Sequence, residues 1–233
     1  MQNMRGKFIV IDGADATGKG TQVALLKERL EQKGYSVKVV DFPQYGKPSA
    51  WFVERYLNGD FGSAEAVGPF QASVFFAVDR YASKSEIEYW LEGGGIILSN
   101  RYVAANLGHQ GSKIDNIENR KKLWDWILNF EHEIMGIPRP DKNFILYLPP
   151  EVAFEAVETK GERAYLTAGK KRDVHEQDPG HFRKTTEAFL ELASTFPEEF
   201  EVIDTTKDGT RLTPRETLEV LWARIEPLIK KEG

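Results

Sequence analysis

The stretch Gly13-Ala14-Asp15-Ala16-Thr17-Gly18-Lys19-Gly20-Thr21 sets glycines, a carboxylate and a lysine at a spacing suited to polyanion chemistry. In a G-x-x-x-x-G-K loop the backbone curls so that successive N–H groups point inward and cradle phosphate oxygens. Lys19 adds a compact cation on a flexible stem that can reach the outer phosphates. Gly20 follows Lys19 where Ser or Thr is common, and the first hydroxyl is that of Thr21. A magnesium ion accompanying a nucleotide would then be held through waters and carboxylates, with Asp15 the carboxylate inside the loop. The bland alternative is a glycine-rich turn with an exposed lysine. It requires neither a strand before the loop nor a helix after it.

Both are expected. Phe8 to Ile11 is a short apolar run of the kind a buried parallel strand shows. From Lys19 to Lys33, Val23, Leu26 and Leu30 recur at helical spacing, with Gly34 placed as a C-cap. Such a helix points the positive end of its dipole at the loop. Further strands are expected at Val37 to Val40, Gly95 to Ser99, Asn143 to Leu148 and Phe200 to Ile203. Helical spacing marks Ala50 to Leu57, one long helix from Phe70 to Leu91, and Ile117 to Met135. It returns at Glu151 to Thr159, in a segment ending at Thr195, and from Pro214 to Lys230. The stretches Phe42 to Pro48 and Gly108 to Asn116 read as loops. Strands alternating with helices indicate a five-stranded parallel sheet covered on both faces, in one α/β domain spanning residues 1–233.

Composition narrows the function classes. The chain has 233 residues, 41% hydrophobic and 29% charged, with a net charge of −5. That balance disfavours a sequence-independent binder of nucleic-acid polymers and a basic membrane-surface protein. The absence of cysteine excludes disulfides and thiolate zinc sites. His109, His132, His175 and His181 lack zinc-ligand spacing, so no structural metal is expected. No apolar run approaches membrane-spanning length, and a cytoplasmic protein is the expectation.

With the loop placed, other stretches fall into a recognisable order. Gly18-Lys19-Gly20-Thr21-Gln22 resembles the loop ending of nucleoside monophosphate kinases. Phe42-Pro43-Gln44-Tyr45-Gly46, Phe75-Phe76-Ala77-Val78-Asp79-Arg80, Asn100-Arg101-Tyr102 with Asn106, and Pro138-Arg139-Pro140-Asp141 follow the order seen in thymidylate kinases. The resemblance runs from about Phe8 to Ala193. It implies the P-loop nucleoside monophosphate kinase fold, phosphoryl transfer from ATP to thymidine 5′-monophosphate, magnesium carried with ATP, and a homodimer.

The resemblance also assigns candidate roles. Residues Gly13 to Thr21 would bind ATP, with Lys19 and Asp15 catalytic. Arg101, beyond the third strand, would grip the acceptor phosphate in the region where ligands collect in parallel sheets; a surface salt bridge is the alternative. Phe76 would stack on the thymine ring and Arg80 would donate to its O4, the two lying four apart on one helix face. Phe76 reads equally well as plain core. Asn106 and Gln110 match positions that bond the remaining base edge. Phe42 fits the acceptor-site wall, against an exposed loop aromatic. Trp124, Trp126, Ile127 and Phe130 read as core or dimer contact.

Lys160, Arg163, Lys170, Lys171 and Arg172 mark a charged segment that is a solvated face or, in this family, a lid of about residues 160–178 closing over ATP. Arg172 is its candidate catalytic charge. Asp173 and Glu176 match acidic lid positions, and Glu176 joins Asp15 as a candidate magnesium ligand. Three positions depart from the family pattern. Asp41 stands where an arginine is common, Asn100 where a carboxylate is usual, and His109 where a tyrosine is common. These bear on metal handling and sugar selectivity. The competing functions are a kinase for another nucleoside monophosphate and a nucleotide-binding regulator with little turnover. A GTPase-type switch is weaker, since no Asn-Lys-x-Asp guanine motif occurs.

Overall fold

The computed structural model describes residues 5–149, 152 and 179–230. Its centre is β1 (Phe8–Asp12), flanked by β3 (Ile96–Asn100) and β4 (Lys142–Tyr147). β2 (Val37–Asp41) and β5 (Phe200–Asp204) complete a parallel sheet ordered β2-β3-β1-β4-β5. Alternation along β1 shows why it needs cover on both sides. Phe8 and Val10 face one core with Ile97, Leu107, Trp124 and Phe189. Ile9 and Ile11 face another with Leu26, Leu98, Leu146 and Ile225. Successive strand side chains point to opposite faces, so an unbroken apolar run marks a strand buried twice.

The second core lies beneath α1 (Lys19–Gln32) and the terminal α9 (Pro214–Ile229). Thr213 opens α9 with a capping box, its hydroxyl accepting from Glu216 N while Glu216 accepts from Thr213 N. The first core is covered by α5 (Lys84–Glu92), α6 (Val103–Gly111), α7 (Ile117–Leu128) and α8 (Pro179–Thr195). Between β2 and β3 the chain also forms a 3₁₀ turn (Pro48–Ala50), α2 (Trp51–Leu57), α3 (Ala64–Val67) and α4 (Pro69–Tyr81).

The structure corrects several boundaries. The single helix expected over 70–91 is two, α4 and α5, broken at Ala82-Ser83. Ser83 N bonds to Arg80 O in a tightened turn, and its hydroxyl donates to Gln44 Oε1 at 2.9 Å instead of capping a helix. The loop expected over 108–116 begins inside α6. The helix expected over 117–135 is α7 followed by a π-helical turn, Asn129–Ile134. A two-stranded hairpin, β6 (Thr206–Lys207) and β7 (Thr210–Arg211), joins β5 to α9 and was not expected at all. The expected helix 151–159 and the expected lid 160–178, with Arg172, Asp173 and Glu176, lie outside the described residues apart from Val152.

Candidate active site

Beyond the C-terminal ends of β1, β2 and β3 lies a cavity of about 620 Å³. Open parallel sheets place ligands at this edge because the loops leaving several strands converge there.

The loop from β1 supplies one wall. Gly13 takes φ +132, and a Cβ there would lie 2.4 Å from Leu146 O of β4. The loop therefore passes the neighbouring strand more closely than any other residue type permits. Ala14 and Thr17 lie beneath it, the Thr17 hydroxyl donating to Ala14 O at 2.9 Å. Asp15, Ala16, Gly18, Lys19, Gly20 and Thr21 line the cavity. Lys19 is buried, and its Nζ donates to Gly13 O at 3.1 Å and Ala14 O at 2.7 Å.

β3 delivers the second cation. Arg101 sits at φ +64, a left-handed backbone uncommon for a residue with a Cβ. Its carbonyl accepts from the Ser99 hydroxyl at 2.5 Å and its N–H donates to Ile11 O, so β3 itself and the neighbouring β1 hold the bend. The side chain enters the cavity, where Nη2 meets Asp15 Oδ1 at 2.6 Å and Nη1 meets His109 Nε2 at 2.7 Å. The salt-bridge alternative for Arg101 thus describes a real contact, but one made inside the cavity. Asp12, beneath both cations, accepts from Gly13 N and Tyr102 N. Full burial raises its carboxyl above the ordinary range, against the opposing pull of Arg101 and Lys19.

Asp41 and Asn100, two of the departures from the family pattern, are cross-strand partners on β2 and β3. Asn100 Nδ2 donates to Asp41 Oδ1 at 3.0 Å, and both residues line the cavity. Partial burial raises the Asp41 carboxyl, while the Asn100 bond, Arg101 and Lys19 pull it down. The carboxylate missing at position 100 is therefore present one strand away. Asn100→Asp should set two carboxylates abreast in a partly buried pair and destabilise the fold by about 1 kcal/mol or more. Each would raise the other's folded pKa. The loss of melting temperature should therefore grow as pH rises through those values and shrink in acid. Thermal melts across pH check this, with Asp41→Asn/Asn100→Asp restoring wild-type behaviour.

The opposite wall comes from α4 and α6. Phe76 and Arg80 of α4 line the cavity with Ala105, Asn106, His109 and Gln110 of α6. Phe76 also meets Tyr56 edge-on at 6.1 Å, so one flank of the ring is core and the other is cavity wall. Phe42 is buried against Tyr102 with centroids 5.5 Å apart, which rules out an exposed loop aromatic. Arg80, 2% exposed, is clasped by Glu131 of the π-helical turn, Nε to Oε2 at 2.6 Å and Nη2 to Oε1 at 2.5 Å. Trp124 and Ile127 are wholly buried core residues.

Sequence reasoning missed Glu131, Tyr45 and Arg211. Tyr45 and Arg211 line the cavity, and the Arg211 Nη2 donates to Ala16 O at 2.8 Å from the unexpected hairpin. An arginine in a short polar segment carries no periodic signal that could have flagged it. Among the described residues no group of three or more His, Asp or Glu side chains could hold a metal ion. The fit to magnesium rests on Asp15, Asp41 and the buried Asn100 Oδ1, which lacks a hydrogen-bond partner among the described residues. Hard oxygens in such small number suit an ion that keeps waters and nucleotide phosphates as its other ligands.

A phosphate loop on β1, facing a second polar wall across a cavity at the edge of a parallel sheet of order 2-3-1-4-5, defines a P-loop nucleoside monophosphate kinase. Residues 11–214 match the family model for thymidylate kinase, and the chain belongs to that family. A thymidylate kinase of Mycobacterium tuberculosis is 30% identical over 189 residues, covering 80% of this chain and 86% of the relative. One from Bifidobacterium longum is 29% identical over 230 residues, covering 98% and 99%. The solved thymidylate kinase from Candida albicans shares the fold, with a TM-score of 0.71 at 22% identity, over 96% of this chain and 92% of that one.

Proposed function

We propose that the chain transfers the terminal phosphoryl group of ATP to the 5′-phosphate of thymidine monophosphate, giving ADP and dTDP. The observation that carries this reading is a single cavity with the phosphate loop on one side and Arg101, Arg80 and Asn106 on the other. An acceptor-phosphate oxygen attacks the terminal phosphorus as its bond to the ADP oxygen breaks. The acceptor is already an anion, so the protein's task is positioning and neutralisation of charge. Lys19 and the loop N–H groups hold the donor phosphates, and Arg101 holds the acceptor phosphate. Magnesium carried with ATP would be held by Asp15, with Asp41 and the Asn100 oxygen nearby and Glu176 from outside the described residues, and would supply charge neutralisation on the phosphates. Arg172, also outside the described residues, is the proposed lid charge.

Base choice follows from the second wall. Arg80 offers N–H groups to thymine O4. Asn106 Oδ1 and Gln110 Oε1 are buried acceptors without a partner among the described residues, suited to the N3–H. Phe76 offers a ring face. Uracil lacks only a methyl group, so deoxyuridine monophosphate should be a poorer substrate by about 10- to 200-fold. Cytosine presents a donor where O4 was and an acceptor where N3–H was, so its nucleotide should rank lower still. The test is kcat/KM for the three nucleotides under one condition. Equal efficiency with deoxycytidine monophosphate would hand the case to a kinase of broader specificity.

The proposal takes residues 1–233 as one kinase domain with a lid at about 160–178, working in the cytoplasm. Among the described residues no helix is long and apolar enough to cross a membrane. A homodimer is proposed through α4, whose Phe70, Val78 and Tyr81 are exposed at helical spacing.

A further inference from the structure

Glu131 does not line the cavity, yet it touches both side chains proposed to read the base edge. It is 1% exposed and pairs with Arg80 through both carboxylate oxygens. Its Oε1 also accepts from Asn106 Nδ2 at 2.9 Å, and that same nitrogen donates to Ser73 O at 3.1 Å. An amide can be turned end for end with little change of shape, so its neighbours must decide which end faces where. Here the decision is forced. Ser73 O and an ionised Glu131 can only accept, so the Asn106 nitrogen must face them. The amide oxygen is left on the other side, buried and without a partner among the described residues.

Glu131 and Ser73 O together fix the cavity wall as an acceptor at Asn106. Glu131 also occupies the Nε–Nη2 edge of Arg80, which leaves Nη1, bonded to Tyr102 O at 3.3 Å, as the other terminal nitrogen. We infer that Glu131 is a positioning residue that determines base specificity, setting the donor and acceptor polarity of a wall it does not itself form. This rests on the base reading proposed above. A glutamine in its place keeps the shape and one acceptor oxygen for Arg80. It sets an NH₂ group against one of the two Arg80 nitrogens, donor against donor, so the guanidinium would lose its fixed place at the base edge while Ser73 O still holds Asn106.

The experiment measures kcat/KM for thymidine and deoxycytidine monophosphates in wild type, Glu131→Gln and Glu131→Asp. E131Q should reduce the thymine-over-cytosine preference by at least about tenfold, mainly through KM. E131D retains an acceptor-only group and should keep the preference within about threefold, even where efficiency falls. A merely structural role would lower both substrates together and leave their ratio unmoved. An unchanged ratio in E131Q overturns the inference, and so does a tenfold loss of ratio in folded E131D, which decides the matter where E131Q does not fold. A wild type without preference would instead sink the base reading itself.

Discussion

Lys19→Ala lowers turnover by about three orders of magnitude or more, with the fold intact. Its ammonium is the cation at the phosphate loop, where charge develops as the phosphoryl group leaves, and a donor placed there acts most strongly in the transition state. In the structure Nζ bonds Gly13 O and Ala14 O, carbonyls of the loop itself, so the cation is tethered beside the place it serves. Those carbonyls can turn to water when the lysine is removed, and little apolar area is lost. Steady-state kinetics with a thermal melt checks both halves. Turnover near wild type would remove the phosphate-loop assignment.

Arg101→Ala should lower kcat/KM for the acceptor by about 10²- to 10³-fold, while the affinity for ATP changes by about twofold or less. The asymmetry comes from position. Arg101 leaves β3 in a backbone conformation held by Ser99 and Ile11, and its guanidinium bridges from Asp15 of the phosphate loop to His109 of the opposite wall, where an acceptor would lie. Loss of the guanidinium leaves the Asp15 carboxylate, which lines the cavity, facing the acceptor phosphate with less positive charge nearby. That repulsion adds to the lost contact. Separate titrations of the two nucleotides decide the matter. A loss confined to ATP would contradict the assignment.

The three central strands, β1, β3 and β4, were legible because each is a short apolar run ended by polar or breaking residues, and burial on both faces demands that pattern. The phosphate loop was legible because its chemistry needs glycines and a lysine at fixed spacing. α6 was not. Gly108 and Gly111 looked like loop residues, yet both lie in the helix where other elements press close. A Cβ on Gly108 would lie 2.5 Å from Phe189 Cζ, and one on Gly111 would lie 2.6 Å from Trp124 Nε1. These glycines serve packing between helices, and that reason is invisible without the partner.

The same limit hid Glu131, whose partner Arg80 is 51 positions away. Nothing local distinguishes it from a solvated glutamate beside His132. Asp41 and Asn100 are far apart in the chain and looked like two independent departures from a family pattern, until strand register made them neighbours. The break between α4 and α5 was masked because apolar residues recur through both helices. The β6–β7 hairpin was too short for any alternation to register.

The most direct test of the account follows the phosphorus atom itself. Purified protein, magnesium, thymidine monophosphate and ATP labelled at the terminal phosphoryl group are mixed, and the label is tracked with time. The account predicts that the label appears in dTDP, one ADP formed for each, and that it does so only when the acceptor is present. Tight binding of both nucleotides with no label reaching dTDP, or label released only as inorganic phosphate, would contradict it.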